Sequence, residues 1–136
     1  IRLLLEGMAV RKMAENAAED DIADLRGMID EMRGVHTTAS YNDLDAAFHV
    51  RIVRASGNGL AAILMAALRE ALRQAMVTAF ESLEDPAGTM TLLTDEHAAI
   101  VEAIAAGDPD RASDLVGKHI RGFYQSVGFS TMKWAG

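Results

Sequence analysis

Apolar residues recur along this chain at three- and four-residue intervals over most of its length, and those intervals trace one face of an α-helix. Ala, Leu, Ile and Met make up most of the apolar half, while aromatic residues are only 5% and prolines number two. Good helix formers with so few breakers leave an all-α fold as the expectation. The 136 residues fit a single compact domain with a real core.

Several function classes drop out early. There is no cysteine, hence no disulfide framework and no thiolate metal site. No run of 18 apolar residues exists, and no signal peptide is visible. A cytoplasmic protein with no membrane contact is expected. The formal net charge of −7 argues against a grip on nucleic acid, which needs clustered Lys and Arg. HExxH, Glu-x-x-His, a Gly-rich phosphate loop and the GxSxG elbow are all missing. The chain opens on Ile1-Arg2-Leu3-Leu4, already in helical pattern and without Met, so it reads as part of a longer protein.

Taken in order, the first helix covers residues 1 to about 18. Leu4, Leu5, Met8 and Met13 lie near its apolar face, with Arg2, Glu6, Arg11 and Lys12 opposite. A second helix opens at Glu19-Asp20-Asp21 and ends near Arg33 and Gly34. Residues 34–40, with His36, read as a polar loop. A third helix spans Tyr41 to Gly57, with Asn42 as N-cap and Gly57 as a left-handed C-terminal residue. Asn58 then caps a long helix, about Gly59 to Ser82. Its broad apolar face runs from Leu60 to Ala75 and suggests either a central position or contact with another subunit. Glu84 to Gly88 is the clearest break. A fifth helix starts at Met90 or Thr94 and reaches Ala106. A sixth is capped by Asp108, has Pro109 in its first turn and runs to about Val127. Gly128 to Gly136 reads as a frayed tail.

Histidines carry the chemistry. Asp45 and His49 are four residues apart and leave the third helix on one side. His97 shares a face with Ile100, Val101 and Ile104, and His119 one with Val116, Ile120 and Phe123. A single buried imidazole is commonly a satisfied core residue. Three in one small domain are harder to satisfy, because each lacks water and needs a partner at a cost of roughly 1–3 kcal/mol if none is found. One metal ion satisfies all three. Three imidazoles and a carboxylate suit zinc, with nickel, cobalt, iron or manganese as alternatives.

The ordered motifs resemble the FCD domain, the effector-binding C-terminal domain of FadR-type GntR transcription regulators. Arg2-x-x-x-Glu6 followed by Ala9 and Ala14 is similar to that family's opening helix, Asp45-Ala46-Ala47-Phe48-His49 to its D-x-x-F-H motif, and Ala55-Ser56-Gly57-Asn58 to its helix junction. His97 to Ile104 with Ala106-Gly107-Asp108 resembles its H-x-x-I-x-x-A-I-x-x-G-D block, and His119 follows at the family's spacing. The resemblance implies a bundle of six or seven antiparallel helices around a cavity. It implies metal ligands at Asp45, His49, His97 and His119, a small organic acid bound at open metal positions, and a homodimer. It also implies an N-terminal winged-helix domain, outside this chain, that would carry all DNA contact. Arg2, Asn42, Arg69, Arg73 and Ser126 are the candidates for closing the ligand pocket. Arg51 and Arg54 point roughly opposite the Asp45–His49 side and are set aside.

Two other readings compete with this non-enzymatic, effector-sensing one. A metal-dependent hydrolase would use the same four ligands to activate water, but no general base is evident beyond Glu96 and Glu102, neither clearly on the His97 face. A metal-free helical bundle would satisfy its histidines through hydrogen bonds alone.

Overall fold

A computed structural model describes residues 1–16 and 18–128, and these described residues form six helices. They are α1 (Arg2–Asn16), α2 (Glu19–Gly34), α3 (Thr38–Ala55), α4 (Gly59–Glu81), α5 (Pro86–Ala105) and α6 (Pro109–Ser126). No strand occurs among the described residues. The stretch 129–136, where the frayed tail was expected, lies outside them. No described helix is long and apolar enough to cross a membrane.

Side-chain caps mark most of the boundaries. Asn58 accepts the Ala61 amide at 3.0 Å, Asp85 the Gly88 amide at 3.0 Å, and Asp108 the Arg111 amide at 3.1 Å. Each supplies an acceptor to an otherwise orphaned first-turn N–H, worth about 1 kcal/mol. Gly57 and Gly107 end α3 and α5 with φ of 89° and 69°, a conformation that costs a residue with a Cβ.

Two boundaries differ from the sequence expectation. Helix α3 begins at Thr38, because Thr37, in extended conformation, accepts the Ser40 amide at 3.2 Å. Asn42 is therefore not a cap. It sits inside the helix and is buried. Helix α5 begins at Pro86, so Pro86-Ala87-Gly88 form its first turn and the break is confined to Ser82–Asp85. Proline needs no N–H partner in a first turn, and its fixed φ suits one.

Helix α1 packs chiefly on α6 and α3, α4 on α3, and α5 on α6 and α2. Leu25, Phe48, Ile52, Met65, Ile100 and Ile104 form the centre of the core. The face of α4 is turned the other way from the sequence reading, and that of α1 in part: Met13 is buried and Arg11 and Lys12 are exposed as expected, but the first two turns are not. In α1 the buried side is Arg2, Glu6, Ala9, Val10, Met13 and Ala14, whereas Leu4 and Met8 face solvent. In α4 the buried residues are Ala61, Ala62, Met65, Arg69, Met76, Val77 and Phe80, while Leu60 and Ile63 are 68% and 67% exposed. The long helix is therefore not central. Its leucine face points outward.

Candidate metal centre

Three helices bring four donors together. Helix α3 supplies Asp45 and His49, α5 supplies His97, and α6 supplies His119. Asp45 Oδ1 lies 3.2 Å from His49 Nε2 and 3.0 Å from His97 Nε2. His119 Nε2 lies 3.1 Å from His97 Nε2 and 3.3 Å from His49 Nε2. All four donor atoms fall within 4.8 Å of one another, and the three imidazoles are buried.

The far side of each ring decides what these four atoms can be. His49 Nδ1 contacts a carboxylate oxygen of Glu6, and His119 Nδ1 contacts Glu96 Oε1 at 2.7 Å. His97 Nδ1 faces the Met32 thioether at 3.2 Å. A carboxylate or a thioether can only accept, so each Nδ1 carries the proton and donates it. In the neutral rings every Nε2 is then a lone pair. Three lone pairs and a carboxylate oxygen converge with no donor between them, an arrangement that repels itself unless a cation sits among them. With ligand bonds of about 2.1 Å, two donors on one ion stand about 3.0 Å apart at neighbouring octahedral corners and about 3.4 Å at tetrahedral ones. The four separations fall in that range, so the residues present fit a transition-metal ion.

The electrostatics are consistent with this. Burial pushes the His97 imidazole down to about 3, and it lowers His119 as well, so both rings favour the neutral form that a metal requires. Burial opposes the charged form of His49 too, but Glu6 and Asp45 on either side outweigh it and raise its value. Asp45 is pushed up by burial, yet Arg69 and His49 hold it well below the usual carboxylate range. Glu6 behaves alike: His49 and Arg2 outweigh burial and bring it to about 2.

Residues 1–122 match the sequence profile of the FCD domain. The chain belongs to the FCD family. Among solved structures this FCD domain is similar to E. coli McbR/YncC, with a TM-score of 0.78 and 16% identity over 96% of the chain. It spans 62% of that protein's length. No curated protein sequence gives a significant match.

The FCD domain places the remaining candidates unequally. Arg69, buried on α4, donates from Nη2 to Asp45 Oδ2 at 2.5 Å. Arg2 and Asn42 line a cavity of about 10 Å³ beside Asp45 and His119, closed further by Tyr41, Phe80 and Phe123. That is room for roughly one water-sized sphere. Arg73 is engaged with Asp43 in an exposed two-point pair at 2.7 and 2.9 Å. Ser126 is exposed and donates to the Phe123 carbonyl at 2.7 Å, so it takes no part in the pocket. Arg51 pairs with Asp21 and Asp24 at 2.8 and 2.9 Å, away from the donors, and His36 is exposed. A larger groove of about 420 Å³ runs past Asp43, Arg51, Arg54 and Arg73, but no histidine lines it.

Sequence reasoning missed Glu6, Glu96 and Met32. Residue spacing places Glu6 on the outer face of α1 and leaves Glu96 off the His97 face. In fact Glu96 leaves α5 toward the neighbouring ring of His119. The signal available was chemical: a buried ligand histidine needs an acceptor at its other nitrogen.

Proposed function

We propose that this FCD domain is the effector-sensing and dimerisation domain of a bacterial GntR-type transcription regulator, holding a divalent transition metal through Asp45, His49, His97 and His119. Zinc is the first choice for three imidazoles and one carboxylate. Nickel, cobalt, iron and manganese share the preference for this donor set. The observation that carries the reading is the convergence of four acceptor atoms whose protons are all committed elsewhere. Membership in a regulatory rather than a catalytic family agrees with it, as does the similarity of fold to a GntR-family regulator.

The effector is a small organic acid that binds the metal by its carboxylate. Support comes from Arg69. Its Nη1 is buried and lacks a hydrogen-bond partner, while its Nη2 holds the outer oxygen of ligand Asp45. A carboxylate at the metal would accept that donor, and leaving it unpaired costs about 1–3 kcal/mol. The adjoining cavity is so small that anything beyond the smallest acids requires the helices to spread. Preferential binding to the spread arrangement is what would shift the equilibrium of the attached DNA-binding domains. Those domains would precede α1 and carry all contact with DNA.

The exposed apolar face of α4, formed by Leu60, Ile63 and Leu64, is the proposed homodimer surface. A cytoplasmic location fits a regulator of this kind.

The test is elemental analysis of protein purified without a metal-affinity column, with melting curves before and after EDTA. About one equivalent of metal and a fall of about 10 °C on chelation are expected. Asp45→Ala and His97→Ala should abolish uptake. Metal-loaded protein is then screened with organic acids by the same melting assay. If the protein contains no metal, adding Zn²⁺ or Ni²⁺ leaves its melting unchanged, and neither variant alters acid binding, the reading is wrong.

A further inference from the structure

Helix α1 supplies no donor to the cage, yet its first two turns reach it. Glu6 is fully buried, and its two oxygens are divided between two partners. One contacts His49 Nδ1 and the other accepts from Arg2 Nε at 2.8 Å. Arg2 is itself buried and donates from Nη1 to the Tyr124 hydroxyl on α6 at 3.2 Å. An ordered chain of contacts thus runs from the cage through α1 to α6.

The outer partners of the other two ligands differ. Glu96, behind His119, is 37% exposed and sits on α5, a helix already tied to the cage through His97. Met32, behind His97, is a thioether and a weak acceptor. Among the described residues Glu6 is the outer carboxylate that is both fully buried and carried on a helix without a ligand of its own.

We propose that Glu6, backed by Arg2, is a positioning residue for His49 and that through it the order of the first turns of α1 follows metal occupancy. The inference rests on the metal reading given above. Its physical basis is the cost of a buried carboxylate. With a metal on Nε2, the His49 ring is held with Nδ1–H aimed at Glu6, and both carboxylate oxygens are satisfied. Without it the ring is held at Nε2 only by the weaker contact with Asp45 Oδ1 at 3.2 Å, so the Nδ1–H contact with Glu6, the buried Arg2–Glu6 pair and the first turns of α1 are less firmly ordered.

The test uses the purified protein, its Glu6→Gln and Glu96→Gln variants, zinc, and cobalt as a spectroscopic stand-in. Glu6→Gln should weaken zinc binding 10–100-fold by competition titration and change the visible cobalt spectrum, because it alters the donor strength of His49. Amide exchange over Leu5–Val10 should slow at least tenfold on zinc loading in the wild type and no more than twofold in Glu6→Gln. Glu96→Gln should weaken zinc binding while keeping the α1 protection. Zinc affinity within threefold of wild type with an unchanged cobalt spectrum in Glu6→Gln would overturn the proposal, as would wild-type α1 exchange indifferent to zinc. If Glu6→Gln does not fold, Arg2→Lys tests the same link with Glu6 in place. A reduced gain in α1 protection supports it, and a gain equal to wild type overturns it. A wild-type protein that takes up no metal removes the metal reading itself, whereas one that binds zinc normally but fails these comparisons removes this inference alone.

Discussion

Helices α1 and α6 lie against each other, yet they sort their side chains by opposite rules. Helix α6 turns Ala112, Val116 and Ile120 inward and leaves Arg111, Asp114, Lys118 and Arg121 exposed. Its candidate ligand, His119, is the one ionisable group among the buried residues of that stripe. Helix α1 buries Arg2 and Glu6 and sets Ile1, Leu4 and Met8 in solvent. The difference lies in what each helix faces. Helix α6 covers the apolar core and brings His119 directly into the candidate cage. The first turns of α1 face the back of His49, where only an acceptor can hold the ring. A buried acceptor of that kind needs a cation, and Arg2, one turn earlier, provides it. Leu3 and Leu4 are left to face outward for the same geometrical reason, since a helix has only one side to bury.

The sharpest way to break this contrast is to change the buried charges. Arg2→Met should cost about 3–5 kcal/mol in urea unfolding, because it leaves Glu6 buried beside His49 alone. A cost under about 1 kcal/mol would mean the pair is no more than a surface contact. On α6 the expensive position is apolar: Ile120→Ala should cost about 2–5 kcal/mol.

Acid provides a second, somewhat smaller separation in the metal-free protein. His97 has a folded value near 3 against 6.5 unfolded, so below about pH 6.5 the unfolded chain takes up a proton the folded one refuses. Stability should therefore fall as pH drops from about 6.5 toward 3, by on the order of 3 kcal/mol. Glu6 adds to the loss at the acid end, its contribution being present above 4.5 and fading as pH falls toward about 2. His49 runs the other way, since its raised value adds stability in acid that is lost as pH climbs. His97→Asn should flatten the slope between pH 6.5 and 4, read from urea midpoints across that window. An unchanged slope would show that His97 is not the group responsible.

Smaller effects belong to the helix ends and outer faces. Thr37→Ala should cost about 1 kcal/mol by removing the α3 cap. Met8→Ala on α1 and Lys118→Ala on α6 should each stay within about 0.5 kcal/mol, the common behaviour of exposed positions. Leu64→Lys on α4 should cost the fold no more than that, while halving the mass measured by sedimentation if the α4 face holds the dimer. An unchanged mass would place that surface elsewhere.

The helix faces that carry the four cage residues were legible from periodicity, while their meeting at one place was implied only by the family resemblance. Asp45 and His49 share a helix face by spacing, and His97 and His119 sit within apolar stripes on their own helices. The faces of α1 and α4 were not legible. Counting leucines assigned Leu4, Met8 and Leu60 to the inside, and Arg2 and Glu6 to the outside. The error is physical rather than statistical. Apolar side chains tolerate exposure, whereas whether a charge is buried depends on a partner that local pattern does not reveal. Glu6 is buried because of His49, 43 residues away, and Arg69 because of Asp45, 24 residues away.

Amino-acid chemistry along the chain was thus enough for the all-α class, for the stops at Gly57 and Gly107, for the caps at Asn58 and Asp108 and for the helix faces that carry Asp45, His49, His97 and His119, since each depends on neighbours within a few residues. Tertiary packing alone decided that α1 turns Arg2 and Glu6 inward, that Glu6, Glu96 and Met32 stand behind the three imidazoles, and that Arg69 rather than Arg73 reaches Asp45. Those outcomes depend on which helices meet, because the free energy of a buried charge or an imidazole proton is set by whatever stands opposite it.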